Sequence, residues 1–203
     1  MTKMTTMADH IILFDDSRRE SLLPLTFTRP VSEIRVGILT IKEKWERMLG
    51  ATCYHQTVEY LQEKFPIPSG SGSCLLINGG ILPNSLLIQQ IETLQVGEAL
   101  VSDKAIVAAF IPNLPSKSFS LTSLQLKQTS IARDNFTEIL NLWDIFSLNG
   151  LALEHDFELL TQGRKSQPIS LSNRVIKPER IFVEEGAMIE CAVLNANDGP
   201  IYI

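Results

Sequence analysis

The sequence predicts an α/β domain with a mostly parallel sheet, followed by the first part of a left-handed β-helix. Three observations predict this architecture. Short apolar runs at 11–14 and 74–77 are each closed by polar residues, as buried strands of a parallel sheet are. Helix-like stretches lie between the runs, and strands that alternate with helices favour a parallel sheet. The carboxyl-terminal residues instead repeat with a period of six.

The predicted elements of the α/β part follow from apolar runs and turn residues. The expected strands cover 11–14, 51–55, 74–77, 98–102 and 105–111, and the expected helices cover 32–50, 57–64, 82–94 and 136–148. Gly50 is a plausible helix end, and Asp103-Lys104 is a tight turn between two strands. Residues 65–73, rich in Pro, Gly and Ser, form a loop.

The carboxyl-terminal segment has the spacing of hexapeptide repeats. Two sets of positions recur every six residues: Val183, Ile189, Asn195 and Ile201, and Ala187, Val193 and Gly199. Three such hexads make about one triangular coil, and one coil cannot bury its own apolar face. We therefore expect a first domain over 1–175 and a β-helix start over 176–203, in a fragment or an unusually short form of a longer β-helical protein. The alternative is a chance run of Val and Ile in an edge strand.

Composition excludes several classes of protein. The net charge of −5 argues against nucleic acid as a partner, because phosphate-backbone binding needs a basic surface. The polar amino terminus lacks the apolar core of a secretory signal, and no run reaches the roughly 18 apolar residues that span a bilayer. We therefore expect a cytoplasmic protein without membrane contact.

Cysteines and histidines give no sign of a metal centre. The wide spacing of Cys53, Cys74 and Cys191 suggests reduced, mostly buried thiols. The three histidines show no ligand spacing, and no motif for covalent catalysis is present.

Four segments carry a resemblance to a known family. They are 19–31 (RESLLPLTFTRPV), 76–79 (LING), 143–144 (WD) and 199–203 (GPIYI). Together with the hexad spacing they resemble a divergent bacterial branch of sugar-1-phosphate nucleotidyltransferases, related to the bifunctional uridyltransferase/acetyltransferase of amino-sugar metabolism. The resemblance spans nearly the whole chain.

The resemblance implies a fold, a reaction and a set of partners. The fold is a Rossmann-like sheet of the nucleotide-diphospho-sugar transferase type. In the reaction, a sugar 1-phosphate attacks the α-phosphorus of a nucleoside triphosphate with Mg²⁺, giving a UDP- or dTDP-linked sugar and pyrophosphate. A complete β-helix would imply a homotrimer.

The sequence departs from the family pattern at each catalytic position. Residues 15–21 (DDSRRES) replace a glycine-rich loop, and Ser21 aligns with the loop arginine. Val31 stands at the lysine position, and Asn78 replaces the metal-binding aspartate. Neighbouring arginines can substitute by clamping phosphate in a bidentate manner.

The candidate site residues are assigned on this basis. They are catalytic Arg29 and Asp144; substrate-binding Arg18, Arg19, Thr26, Arg35, Asn78 and Gly79; and metal-binding Asp144 and Asn173. Each has a structural alternative. The arginines can be surface groups paired with Glu20 and Glu33, Asn78-Gly79 can be a simple turn, Trp143 can be core, and Asp144 can cap a turn. Asn173 matches by position only.

Three functions remain open from the sequence. The leading hypothesis is the nucleotidyltransferase reaction. The second is a non-catalytic domain that binds sugar nucleotides or assembles with partners, because three consensus positions are replaced. The third is the amino-terminal part of an acyltransferase whose active site lies in a longer β-helix.

Overall fold

The computed structural model describes residues 8–114 and 124–203, which fall into two units. The first unit runs to Arg35 and continues over Thr40–Asp144, and the second combines Val36–Leu39 with Ile145–Ile203. The boundary expected at residue 175 lies inside the second unit. Residues 1–7, the start of the polar amino terminus, lie outside the described part of the chain.

The described residues of the first unit form a central sheet and one further strand pair. The strands are β1 His10–Phe14, β2 Cys53–Gln56, β3 Cys74–Asn78, β4 Ile81–Leu82, β5 Glu98–Ser102, β6 Ala105–Ile111, β7 Lys127–Ser130 and β8 Thr137–Glu138. The central sheet has the order β2-β1-β3-β6-β5-β7, and β4 pairs with β8. β1 is parallel to β2 and β3, and β5 is parallel to β7. The predicted α/β domain with a mostly parallel sheet is confirmed.

The predicted tight turn at Asp103-Lys104 makes β6 antiparallel to β5. Asp103 and Lys104 both adopt left-handed backbone angles, with φ of 49° and 68°, as a two-residue hairpin turn requires. The turn brings β6 back beside β5, and β6 also pairs antiparallel with β3.

Five helices occur among the described residues: α1 Ile41–Leu49, α2 Glu59–Gln62, α3 Ser85–Glu92, α4 Leu142–Ser147 and α5 Asn149–Thr161. At the start of α1, Thr40 accepts from the Glu43 N–H (3.1 Å) and donates its own N–H to Glu43 (2.7 Å), which is a capping box. α1 ends at Gly50, as predicted. No helix in the described ranges is both long and apolar enough to cross a membrane.

All four predicted helices are shorter in the structure, and two of them change most. The helix expected over 32–50 begins only at Ile41, because Gly37 has φ +83° and Thr40 caps the first turn. Within 136–148, Thr137–Glu138 forms a strand with Ile81–Leu82, and only the last part is helical. Tertiary pairing here overrides local helix preference. The sequence interpretation did not include α5.

The thiols offer a test of packing in the sheet. Cys53 and Cys74 are buried and Cys191 is exposed, which agrees with the expectation of mostly buried thiols. Burial raises the pKa of Cys53 to about 12 and the pKa of Cys74 to about 11. Only thiolates react readily with alkylating reagents. We expect iodoacetamide at mildly alkaline pH to label Cys191 alone in the native protein and all three thiols in urea, as read by mass spectrometry. Rapid labelling of native Cys53 or Cys74 contradicts this packing.

The carboxyl-terminal part of the second unit contains two parallel strand pairs. The strands are β9 Arg174–Ile176, β10 Ile181–Phe182, β11 Val193–Asn195 and β12 Ile201–Tyr202. β9 pairs with β11, and β10 pairs with β12 with Ile181 opposite Ile201. Of the positions that recur every six residues, Val183 is buried, whereas Val193 and Asn195 are exposed on either side of the buried Leu194. Strand pairing, rather than a fixed period, decides which side chains face the small core.

The segment Val36–Leu39 belongs to the second unit, and it contacts α5. Asp156 accepts hydrogen bonds from the N–H groups of Ile38 (2.8 Å) and Leu39 (3.0 Å), and Asn149 accepts from the Gly37 N–H (2.9 Å). Because buried backbone donors need partners, these contacts account for the docking of the loop on α5.

Candidate functional site

A cleft lies at the carboxyl ends of β1 and β3, which run side by side with Phe14 opposite Asn78. Open parallel sheets bind ligands at this edge. The cleft is lined by Phe14, Asp15, Asp16, Arg18, Arg19, Leu22, Val31, Asn78, Gly80, Glu138 and Ile139. Its free volume is about 10 Å³, roughly the space that one water molecule needs. A nucleotide bound here therefore extends beyond the cleft.

Asp15 holds the loop after β1 together. Its side chain is 4% exposed. One carboxylate oxygen accepts from the Val31 N–H (2.9 Å), and the other accepts from the Thr57 hydroxyl (2.6 Å) and lies 3.2 Å from Arg19 Nε. Burial raises the pKa of the Asp15 carboxyl despite these contacts. Since protein donors occupy both oxygens, Asp15 organises the site rather than facing a ligand.

Asp16 connects the ends of the two strands. It caps the helical turn Ser17–Leu22 by accepting from the Arg18 N–H (2.9 Å), and its second oxygen accepts from Asn78 Nδ2 (2.8 Å). Burial alone would raise the pKa of Asp16, but hydrogen bonds from Arg18 and its positive charge outweigh burial and lower it. Asp16 is therefore an ionised partner for Arg18.

Arg18 is the more exposed of the two arginines that line the cleft, and it retains hydrogen-bond donors. Its Nε (2.7 Å) and Nη2 donate to Asp16, and its Nη1 pairs with Glu138. These contacts use three of the five N–H groups of the guanidinium. The side chain is 28% exposed. The two remaining N–H groups suit an oxyanion, and the two carboxylates fix the guanidinium in place.

Arg19 is a structural residue by comparison. It is 7% exposed. Its Nη2 donates to the Thr26 carbonyl and to the Tyr60 hydroxyl (3.2 Å), while its Nε faces Asp15. The Thr26 hydroxyl in turn donates to the Arg19 carbonyl (3.1 Å). Arg19 and Thr26 thus shape the loop behind the cleft.

Asn78 and Gly79 form the turn after β3. Asn78 donates to Asp16 and accepts from the Gly80 N–H (2.9 Å), so its amide holds the turn against the loop after β1. The Gly79 N–H donates to the Phe14 carbonyl (2.8 Å). A Cβ at Gly79 would lie 3.2 Å from that carbonyl oxygen, which explains the glycine by close approach. The turn interpretation is therefore what the contacts support.

Glu138 reaches the cleft from the far side. β8 pairs antiparallel with β4, which places Glu138 opposite Ile81. Its side chain is 3% exposed, and its two oxygens pair separately with Arg18 and Arg133. Asp16, Arg18, Glu138 and Arg133 thus form a row of alternating charge.

Comparison with known families decides the assignment. The family model described as "Sugar nucleotidyl transferase" matches residues 11–165 of the 203. The chain belongs to this family. No curated protein matches it significantly. The match covers the loop after β1, the turn after β3 and β8, which together supply the cleft.

Arg29 and Arg35, two predicted site residues, do not line the cleft of this family member. Both are exposed. The hydrogen bond from His55 lowers the pKa of Glu33, and the charge of Arg29 adds to this effect. Arg35 lies 3.7 Å from Glu43. The cleft of this family member therefore gathers Arg18, Arg19 and Asn78 but leaves the other two arginines on the surface.

Asp144 and Asn173 make protein contacts in separate units of this family member. The Asp144 carboxylate accepts from the N–H groups of Leu140 (2.9 Å) and Asn141 (2.8 Å), the capping role weighed as an alternative. Its neighbour Trp143 is 65% exposed, so the core alternative for that residue is wrong. Asn173 donates to the carbonyls of Ser170 (3.1 Å) and Ile189 (2.7 Å) and accepts from the Ala192 N–H (2.9 Å).

The described residues do not form a ready metal site. No group of three or more acidic, His or Cys side chains suited to a metal occurs within 8–114 and 124–203. At the cleft, each oxygen of Asp16 and Glu138 already contacts a nitrogen donor. The carboxylates of Asp16 and Glu138, paired in this way, do not fit Mg²⁺.

Sequence reasoning missed Glu138 and Arg133. Both lie more than a hundred residues from Arg18 in the chain, and β4–β8 pairing brings them together. The local segment 136–139 (FTEI) does not alternate apolar and polar residues, so no local pattern indicated a strand there.

Proposed function

We propose that the chain is a nucleotidyltransferase that couples a sugar 1-phosphate to a nucleoside triphosphate, giving a nucleoside-diphosphate sugar and pyrophosphate. The observation that carries the proposal is the Arg18 guanidinium, held at the carboxyl edge of the sheet with two N–H groups left for an anion. Membership of the sugar nucleotidyl transferase family supports the same reaction class.

The chemistry needs no protein nucleophile. An oxygen of the sugar phosphate forms a new bond to the α-phosphorus, the bond from that phosphorus to the bridging oxygen breaks, and pyrophosphate leaves with both bonding electrons. Catalysis of such a transfer depends on positioning and on charge stabilisation. In this proposal Arg18 binds the triphosphate, and Asp16 with Asn78 holds Arg18 and the β3 turn in position.

The roles expected for Arg29, Arg35 and Asp144 belong to the same proposal. Arg29, Arg35 and Asp144 would need to act on parts of the substrates outside the cleft, since they do not line it. UDP- or dTDP-linked products also remain part of the proposal, because the cleft residues do not distinguish nucleobases.

Pyrophosphate release tests the proposal directly. Purified protein is incubated with Mg²⁺, each nucleoside triphosphate and a panel of sugar 1-phosphates, and pyrophosphate is measured. We expect release that requires both substrates. If no combination releases pyrophosphate, the protein is not this enzyme.

A non-catalytic binding domain is the second candidate, and the charge of the cleft favours it. Asp15, Asp16 and Glu138 oppose only Arg18 and Arg19 among the lining residues. Val31, at the position of the family lysine, is 4% exposed and supplies no charge. If the chain is a non-catalytic binding domain, calorimetry detects nucleotide-sugar binding and no pyrophosphate is released.

We also propose that residues 176–203 begin a left-handed β-helix. The parallel pairing of β10 with β12, one coil apart, supports this, as does the buried cluster that includes Ile181, Val183 and Leu194. A full β-helix would bring the acyltransferase alternative and a homotrimer with it. Sedimentation analysis of the full-length gene product tests the trimer.

A further inference from the structure

We propose that Arg133, which pairs with the cleft residue Glu138, is a second phosphate-binding residue, and that Glu138 is the shared carboxylate that holds Arg133 and Arg18 together. The assignment rests on the proposed function, because it gives Arg133 a part in binding the nucleoside triphosphate. Neither the sequence pattern nor the family resemblance singled out Arg133.

Arg133 lies close to Arg18. Arg18 pairs with one oxygen of Glu138 and Arg133 pairs with the other. Because both contacts are at hydrogen-bond range, the two guanidinium groups lie within roughly 8 Å of each other. In this assignment the phosphate next to the nucleoside lies against Arg18 and a terminal phosphate of the triphosphate lies against Arg133.

Arg133 is held in place, and it is accessible to a ligand. Its guanidinium lies 5.1 Å from the centre of the Phe136 ring, and Phe136 is 7% exposed. Asn84 donates to the Asn135 carbonyl (3.0 Å), which fixes the turn that carries Arg133. The Arg133 side chain is 40% exposed, and Glu138 pairs with Nη1 only. Most N–H groups of this guanidinium are therefore available to an anion.

Arg133 also balances the charge of the row that Asp16, Arg18 and Glu138 form. Asp16 and Glu138 carry two negative charges, and Arg18 alone does not balance them. With Arg133 the row is neutral, so the phosphates of a nucleotide no longer face a net negative surface. Loss of Arg133 would leave Glu138 as an uncompensated anion next to the phosphates, and like charges disfavour binding.

Calorimetry with a nucleoside triphosphate and the monophosphate of the same nucleoside tests the assignment. We expect Arg133→Gln to weaken triphosphate binding about tenfold, since a hydrogen bond to a charged group is lost. Monophosphate binding should change by no more than about twofold, because that ligand relies on Arg18. Lys127→Gln is the control: it removes one exposed cation, paired with Glu98 at the opposite end of the sheet from Asn78.

The outcomes separate this assignment from the proposed function. If the wild-type protein binds neither nucleotide, both fail. If the wild-type binds the triphosphate and Arg133→Gln binds it equally well, only the role of Arg133 fails. Equal losses for both nucleotides also overturn it, because they indicate a general structural role. Arg133→Lys keeps the charge and provides a milder variant, with an intermediate loss expected, should the glutamine variant not fold.

Discussion

We expect the Arg18→Ala variant to bind nucleoside triphosphate about 100-fold more weakly than the wild-type protein, because a bidentate, charge-assisted contact with phosphate is lost. The Asp16 and Glu138 carboxylates, which pair with Arg18, would also face the ligand without their partner. Calorimetry measures the affinity, and pyrophosphate release should fall in parallel.

Arg18→Lys and Lys127→Ala make this result interpretable. The lysine variant keeps the charge but not the planar fork, so an intermediate loss of about tenfold is expected. Lys127, 78% exposed and paired with Glu98, gives a control that should leave affinity unchanged. If Arg18→Ala folds normally and binds triphosphate like the wild type, Arg18 is not the phosphate ligand.

We expect Gly37→Ala to lower the free energy of unfolding by about 3 kcal/mol, because a strained backbone adds to the loss of hydrogen bonds. A Cβ at Gly37 would lie 2.6 Å from an Asp156 carboxylate oxygen and 2.8 Å from the carbonyl carbon of Ala152. The loop must then move away from α5, which breaks the bonds that Asp156 accepts from Ile38 and Leu39. Urea unfolding followed by circular dichroism measures the loss.

Gly50→Ala is the matched control for backbone conformation. Gly50 also has positive φ, but a Cβ there meets nothing within 4 Å. Its substitution should cost only the left-handed conformation, about 1 kcal/mol. Equal losses for the two glycine variants would show that the contacts with α5 contribute nothing.

Elements with a strong local pattern were predictable from the sequence. The runs that became β1 and β3 are continuously apolar, and the Asp103-Lys104 turn forces the β5–β6 hairpin. Elements that depend on distant partners were not predictable. The strand at Thr137–Glu138 exists because it pairs with Ile81–Leu82, and no local property of a two-residue strand reveals its partner.

The candidate site divides in the same way. Arg18 and Asn78 follow their strands directly, so the expectation that they meet at the carboxyl edge needed only the parallel pairing of β1 and β3. The sequence could not distinguish Arg18 from its neighbour Arg19, because burial in the folded chain decides which guanidinium a ligand can reach. Glu138 and Arg133 arrive through long-range pairing and were missed.

A crystal structure with a non-hydrolysable nucleoside triphosphate analogue shows whether Arg18 binds the phosphates. The analogue's phosphates should lie against Arg18 where β1 and β3 end, with the nucleoside extending out of the cleft. If the phosphates bind elsewhere on the protein and Arg18 contacts only Asp16 and Glu138, Arg18 is not the phosphate ligand.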